Sequence, residues 1–161
     1  MPAAALANVT VKQVMTHNPV YIAPAASIRE LAELLDSNEI SGVPVVDVQE
    51  RVIGVVSKTD LLHQWVRGGD RSRSGGGGGG GVGSFVELLE DGLGEGLEIS
   101  DENTVEEFMS VDPVTARTDE PITAVAQRMV RERVHRVIVV DQDNRLRGIV
   151  TTLDILKRIA G

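Results

Sequence analysis

Two stretches of the chain repeat a hydroxyl and a carboxylate at the same spacing. Residues 54–60 read GVVSKTD and residues 148–154 read GIVTTLD, 94 positions further along. In each, a serine or threonine stands three residues before an aspartate, where an apolar run ends; the four residues are Ser57, Asp60, Thr151 and Asp154. This spacing is typical of a helix N-terminus, where the hydroxyl accepts from the N3 amide and the carboxylate accepts from the N-cap amide.

The same arrangement also suits a ligand. A helix N-terminus has unpaired amides and the positive end of the helix dipole, which together attract phosphate. The hydroxyl adds a donor for an anion, and a carboxylate nearby can accept from the hydroxyls of a ribose. Two hypotheses follow for the repeated phrase, a helix cap alone or a cap that also holds a ribose phosphate, and they are compatible.

The repeat extends well beyond these phrases, since residues 10–62 align with residues 104–156 without a gap. Each copy predicts a short helical turn that begins at Thr10 or Thr104, then an extended piece with a proline, then a helix. Two β-branched runs joined by a short turn follow as a hairpin, and a second helix ends the copy. Each copy therefore has the order β-α-β-β-α, with an additional turn in front.

The first long helix of each copy has its own start signal. In the first copy Ser27 and Glu30 form a capping box. In the second copy Pro121 is expected at the first helical position. An apolar face follows in both, at the spacing of one side of a helix; it comprises Ile28, Leu31, Ala32 and Leu35 in the first copy and Ile122, Val125, Ala126 and Met129 in the second.

A histidine and an arginine begin a strand of the second copy. His135 and Arg136 precede the run VIVVD, whereas Ser41 and Gly42 hold those positions in the first copy. The pair is either a solvated strand end or a phosphate clamp, because a guanidinium binds phosphate with two parallel donors. Ser41 and Gly42 cannot do this, so the second site is expected to be better equipped for a charged ligand.

Composition excludes several function classes. The net charge of −8 and an aromatic content of 2% disfavour nucleic acid as a partner. The chain has no cysteine, and its three histidines lack metal-ligand spacing. No run approaches the roughly 18 apolar residues of a membrane span, so we expect no membrane partner and a cytoplasmic location. We see no nucleophile–base pair and no paired carboxylates placed for acid–base chemistry, and therefore expect no enzyme activity.

The segment between the copies has a different composition. It contains seven consecutive glycines, which predicts a flexible linker. A short helix is predicted within it at residues 84–93. The expected organisation is a first repeat at 8–66, a Gly-rich insert at 67–101 and a second repeat at 102–161.

The motifs VMTHNPV, SGVPVVD and GVVSKTDLL, with FMSVDPVT, HRVIVVD and GIVTTLDIL, resemble a tandem pair of CBS domains, also called a Bateman module. The resemblance covers nearly all of residues 10–66 and 104–160, and it leaves no room there for a fused effector domain. It implies an α+β fold, in which two pseudo-twofold-related β-α-β-β-α repeats pack sheet against sheet. It also implies a homodimer that regulates another protein, whose identity the sequence does not give.

The resemblance further implies an adenosyl ligand rather than a cofactor: AMP, ADP, ATP, S-adenosylmethionine or, in some members, NAD. Such ligands bind in clefts between the repeats, where the hydroxyl and aspartate of the repeated phrase hold phosphate and ribose. Main chain near the first strand of each repeat contacts the adenine, at Val20, Tyr21 and Ile22 and at Val114, Thr115 and Ala116. The alternative is a structural homodimerisation module whose pockets are vestigial.

Overall fold

The computed structural model describes residues 6–61, 63 and 103–161, which combine helices and strands and confirm the α+β class. The predicted insert at 67–101 and its helix at 84–93 lie outside the described residues. The labelled elements are α1 (Val11–Val14), β1 (Thr16–His17), α2 (Ile28–Ser37), β2 (Gly42–Val46), β3 (Val52–Ser57), a 3₁₀ turn (Val105–Glu107), β4 (Thr115–Ala116), α3 (Ile122–Glu132), β5 (Arg136–Val140), β6 (Leu146–Thr151) and α4 (Thr152–Ala160). Residues 58–61 are also helical.

The chain forms two compact units that do not follow the two repeats. Unit 1 holds Met1–Tyr21, Val46–Gly54 and Val111–Gly161, and unit 2 holds Ile22–Val45 and Val55–Ser110. The opening turn of the first repeat therefore belongs with the sheet of the second repeat. The opening turn of the second repeat belongs with the helix and strands of the first.

Unit 1 is built on a four-stranded sheet in the order β1-β6-β5-β4. Strand β1 comes from the first repeat and pairs antiparallel with β6, while β4 runs parallel to β5. Main-chain bonds hold α1 in place, from the amide of Val11 to the carbonyl of Glu120 and from the amide of Lys12 to the carbonyl of Thr118, both 2.9 Å. One sheet face packs under the helices as the core of the unit; its buried residues are Val11, Met15, Ala116, Val125, Met129, Val137, Val139, Val150 and Ile155.

Unit 2 begins its helix α2 with the predicted capping box. The amide of Ser27 donates to Glu30 Oε2 at 2.7 Å, and the amide of Glu30 donates to Ser27 Oγ at 3.1 Å. The predicted apolar face of α2 is buried at Leu31, Ala32 and Leu35. The opening turn of the second repeat joins this unit through main-chain hydrogen bonds. The amide of Val105 donates to the carbonyl of Ala26 at 2.9 Å, and Ser110 and Val55 each donate an amide to the carbonyl of the other.

The first strand of the first repeat is reduced to one parallel bridge, between Ile22 and Val45. In the second repeat the amide of Ile138 donates to the carbonyl of Val114 at 3.1 Å and the pairing becomes strand β4. The first repeat has Pro44 at the position of Ile138, and proline has no N–H to donate. One residue therefore explains why the two copies differ here.

The start of helix α3 differs by one residue from the expectation. Pro121 is the N-cap, with an extended ψ of 139°, and the helix begins at Ile122. The reason is a bridge between Pro121 and Thr10 of the opening turn, which holds Pro121 extended. The predicted apolar face is otherwise confirmed, because Ile122, Val125 and Met129 are buried.

Left-handed backbone recurs at the repeat spacing. Among the described residues, six non-glycine residues have positive φ, and they form three pairs separated by 94 positions: Asn18 and Asp112, Glu39 and Arg133, and Glu50 and Asn144. The two copies therefore share their turns as well as their helices and strands.

Gly148 is required where β1 approaches β6. A Cβ at this position would lie 2.6 Å from Met15 Sδ and 2.7 Å from the carbonyl oxygen of Thr16. We predict that Gly148→Ala lowers the free energy of unfolding by about 1–3 kcal/mol, as overpacking does, measured by urea denaturation. In a Met15→Ala background the further loss caused by Gly148→Ala should be smaller but still present, because the carbonyl of Thr16 remains; no further loss in that background would contradict this account.

Candidate functional site

Thr151 and Asp154 form a reciprocal cap at the start of α4. The amide of Asp154 donates to Thr151 Oγ1 at 3.2 Å, and the amide of Thr151 donates back to Asp154 Oδ2 at 2.8 Å. The Thr151 hydroxyl also donates to the same Oδ2 at 2.9 Å. Strand β6 ends where this helix begins, so the cap fixes both side chains at the strand–helix junction.

Ser57 and Asp60 form the same cap in unit 2. The corresponding three distances are 3.3, 2.8 and 3.0 Å. Helix capping, which both hypotheses for the repeated phrase share, is therefore confirmed in both copies. The second hypothesis adds a ligand to this geometry and does not compete with it.

A second main-chain bond ties each cap to the start of a neighbouring strand. The amide of Thr152 donates to the carbonyl of His135 at 2.9 Å. In the first repeat the amide of Lys58 donates to the carbonyl of Ser41, also at 2.9 Å. The residues that follow, Arg136 and Gly42, are thereby held beside their caps.

Three candidate residues of the second repeat lie on one face of the unit 1 sheet. Arg136 is directly opposite Thr151 in the β5–β6 pair, and Thr115 is opposite Ile138 in the β4–β5 pair. Opposite residues share a face, as do residues two apart along a strand. Thr115, Arg136 and Thr151 therefore share one sheet face, opposite to the face that carries the core residues Val137, Val139 and Val150.

Arg136 is half-buried on this face, and burial lowers the pKa of its guanidinium from the ordinary value of arginine. Partial loss of water raises the free energy of a charged group, and a nearby anion offsets that cost. The guanidinium thus places a partly desolvated positive charge on the strand residue that lies opposite Thr151.

His135 lies on the other side of the strand. It borders a groove between α3 and α4 of about 420 Å³, together with Met129, Val134, Thr152 and Ile155. Its carbonyl accepts from both the amide and the hydroxyl of Thr152. The structure thus brings Arg136 to the cap of Thr151 and Asp154, and separates the His135 side chain from them.

The residues expected along the first strands take different positions. Ala116 and Ile22 are buried, and Val114 packs against the core of unit 1. Val20 is half-buried, whereas the Tyr21 side chain is 58% exposed. Any contact that these residues make with an adenine would therefore use their main chain or, at Tyr21, the ring.

The sequence interpretation missed Thr16. This residue of the opening turn pairs with Ile149 in β1 and β6, two positions from Thr151 on the same strand face. The sheet face of Arg136 and Thr151 therefore carries residues of both repeats. No pattern in the sequence indicates this, because the pairing joins residues from different copies.

The corresponding site in unit 2 has a different charge. Gly42 stands at the position of Arg136 and is buried. Lys58, next to the cap, forms an ion pair with Asp36 at 3.2 Å. The predicted difference between the two copies is thus present in the side chains that surround their caps.

Two further findings bear on the class of site. Among residues 6–61, 63 and 103–161, no cluster of three or more histidine, aspartate or glutamate side chains is placed to hold a metal ion. Within the same residues, no helix has the length and apolarity needed to cross a membrane.

The cap of α4 should contribute measurably to stability. Thr151→Val removes the hydroxyl that accepts from the Asp154 amide, so we predict a loss of about 1 kcal/mol in the free energy of unfolding. Thr151→Ser is the matched control, because serine fills the same role at position 57, and it should stay close to the parent chain. Equal stability of the valine variant and the parent in urea denaturation would show that the cap contributes nothing.

Comparison with known proteins places the chain in a family. Residues 11–67 and 105–161 each match the model of the CBS domain. Protein MJ1232 of Methanocaldococcus jannaschii is 29% identical over 161 residues, which cover 100% of this chain and 41% of that protein. An inosine-5′-monophosphate dehydrogenase of the same organism is 27% identical over 151 residues, which cover 94% of this chain and 23% of that enzyme. The chain thus spans less than half the length of either relative.

A solved structure agrees with the fold. The CBS domain pair of protein MJ0100, in complex with 5′-methylthioadenosine and S-adenosyl-L-methionine, matches with a TM-score of 0.67 and 25% identity. The match covers 95% of this chain and 97% of that one. The resemblance found in the sequence and the repeated β-α-β-β-α order are thereby confirmed.

Proposed function

The chain belongs to the CBS domain family, and from this premise we propose that it is a regulatory module that binds an adenosyl ligand. The observation that carries the proposal is the cap of α4, beside which the sheet places a half-buried arginine. The site joins a hydroxyl, a carboxylate, a helix N-terminus and a guanidinium, which together match a ribose and an anionic group.

The carboxylate of Asp154 has capacity beyond the cap. Its Oδ2 accepts from the amide and the hydroxyl of Thr151. From the described part of the chain, Oδ1 accepts no hydrogen bond. An ionised carboxylate has about four acceptor positions, so Oδ1 can accept from the two hydroxyls of a ribose while the cap stays intact.

Two observations support an adenosyl compound as the ligand class. The MJ0100 domain pair binds S-adenosylmethionine and 5′-methylthioadenosine, which share the adenosyl group. Arg136, which lies opposite Thr151 in the sheet, adds a positive charge to the site, and this charge is compatible with the phosphate of AMP, ADP or ATP. We propose that unit 1 binds the adenosyl ligand more tightly than unit 2, where Gly42 replaces the arginine.

A regulatory role is supported by the kind of groups that the site offers, which can bind and orient a ligand. The relatives that are named as enzymes are longer chains, of which this chain matches only a part. We propose that ligand occupancy is passed to a partner protein, whose identity awaits a pull-down in the presence and absence of ligand.

Binding can be tested with AMP, ADP, ATP, S-adenosylmethionine, 5′-methylthioadenosine and NAD. We predict that at least one raises the melting temperature, with about 2.7 kcal/mol of stabilisation at roughly a hundredfold excess over its dissociation constant. Asp154→Asn should lower its affinity about tenfold or more in titration calorimetry, since hydrogen bonds to charged groups contribute about 1.5–3 kcal/mol. Asp60→Asn should have a smaller effect.

Three results of that titration would count against the proposal. No shift with any of the six compounds would contradict an adenosyl ligand. Unchanged affinity in both aspartate variants would show that the repeated phrase caps its helices and does not bind the ligand. Equal losses in the two variants would contradict the difference between the sites.

Homodimerisation is a second proposed property, favoured by an apolar surface on unit 1. Val130 is 80% exposed on α3, and Leu153 and Leu156 are more than half exposed on α4. Contiguous exposed apolar residues are typical of an interface between proteins. We predict a dimer by light scattering, and a shift toward monomer in Leu156→Asp but not in the nearby surface variant Lys157→Asp. A monomeric parent chain would contradict the prediction.

A further inference from the structure

A second groove lies in unit 1, far along β6 from the cap. It has a volume of about 470 Å³, and its lining includes Tyr21, Glu50, Arg145, Leu146 and Arg147. Leu146 begins β6, whereas Thr151 ends it. The five residue steps from Leu146 to Thr151 span roughly 16 Å, so this hairpin groove is separate from the cap of α4.

The base of the hairpin groove is rigid, because two hairpin turns are joined there. The amide of Val52 donates to the carbonyl of Asn144 at 2.9 Å, and Asn144 Nδ2 donates to the carbonyl of Val52 at 2.7 Å. The amide of Leu146 also donates to the carbonyl of Glu50, at a longer distance of 3.4 Å. The backbone from which the side chains of Glu50 and Arg145 extend is therefore held by hydrogen bonds between the two turns.

Glu50 has a backbone conformation that glutamate disfavours. Its φ is 66°, and the equivalent residue of the second repeat is Asn144, with φ 62°. Asparagine adopts this left-handed conformation far more readily than glutamate does, and such outliers often mark functional positions. The chain thus places a carboxylate at the groove despite a backbone cost.

The charges around the groove are partly compensated. Arg147 forms an ion pair with Asp141, with Nη2 and Nε at 2.9 and 3.2 Å from Oδ2. Within the described residues, neither the guanidinium of Arg145 nor the carboxylate of Glu50 has a hydrogen bond or an ion pair. The groove therefore offers one positive and one negative group without a protein partner.

The pairing of these two groups selects a class of ligand. A polyanion would be repelled by Glu50, and a polycation would be repelled by Arg145. A zwitterion carries one group of each sign, so its carboxylate matches the guanidinium of Arg145 and its ammonium matches the carboxylate of Glu50. Pro19, Tyr21 and Leu146 add an apolar wall, which suits an uncharged side chain.

We propose that the hairpin groove binds the zwitterionic head of an α-amino acid with an apolar side chain. Two sources share this chemistry, a free amino acid and the methionine portion of S-adenosylmethionine. The free amino acid needs no adenosyl site, so this inference stands apart from the function proposed above. S-adenosylmethionine as the source would rest on that function.

Titration calorimetry on the full chain tests the first source with L-methionine, L-leucine and L-phenylalanine. At least one should bind, and Glu50→Gln and Arg145→Gln should each lower its affinity about tenfold or more, because each removes a charge-assisted bond. Arg117→Gln is the control, since this arginine is exposed in the same unit and lies outside the groove. Thermal unfolding of each variant checks that the exposed substitutions leave the fold intact.

Two analogues of methionine test the zwitterion itself. 3-(Methylthio)propylamine lacks the carboxylate and 4-(methylthio)butyrate lacks the ammonium, so both should bind far more weakly than L-methionine. Equal binding of either analogue would overturn the proposal.

S-adenosylmethionine and 5′-methylthioadenosine distinguish the second source, because only the former has the amino-acid head. If Glu50→Gln lowers the affinity for S-adenosylmethionine but not for 5′-methylthioadenosine, the amino-acid head in the hairpin groove is that of S-adenosylmethionine. The proposal is overturned if no amino acid binds and Glu50→Gln leaves S-adenosylmethionine affinity unchanged. Binding of L-methionine, with no shift from AMP, ADP, ATP, 5′-methylthioadenosine or NAD, would instead refute the adenosyl function and leave the hairpin groove.

Discussion

The reciprocal cap between a hydroxyl and an aspartate is the interaction on which the structure of each site depends. Asp154 satisfies the amide and the hydroxyl of Thr151 with one oxygen, and this fixes where β6 ends and α4 begins. The hydrogen bond from the amide of Thr152 to the carbonyl of His135 then fixes the position of the neighbouring strand β5, which starts with Arg136. A binding site can be added to such a cap at little cost in stability, because the helix start is satisfied before any ligand arrives.

The exchange of opening turns imposes a second constraint. Strand β1 of the first repeat completes the sheet of the second, and it approaches so closely that only glycine fits at position 148. The glycine of the repeated phrase is therefore a packing requirement, whereas the hydroxyl and the aspartate serve the cap. Neither sheet nor site surface in unit 1 is complete with residues of one repeat alone, which gives a physical reason for the duplication.

Local interactions were predictable from the sequence, and contacts between copies were not. The capping box of Ser27 and the apolar faces of the helices depend on residues three or four apart, so their spacing is visible in the chain. The pairing of Thr16 with Ile149 has no such signal. Left-handed backbone at Glu39 and Arg133 was equally hidden, because glycine or asparagine usually marks that conformation. His135 and Arg136 are consecutive, so strand alternation places their side chains on different sheet faces. Which of the two faces the cap is decided by the pairing of β5 with β6, which the sequence does not reveal.

A crystal structure of the chain with 5′-methylthioadenosine tests the central claim most directly, because this compound is an adenosyl group with little else. The account predicts that the ribose hydroxyls lie about 2.6–3.2 Å from the Asp154 carboxylate, with the Thr151 cap unchanged. A ligand bound elsewhere, or a cap that must open to admit it, would contradict the claim that one carboxylate both caps the helix and holds the ribose.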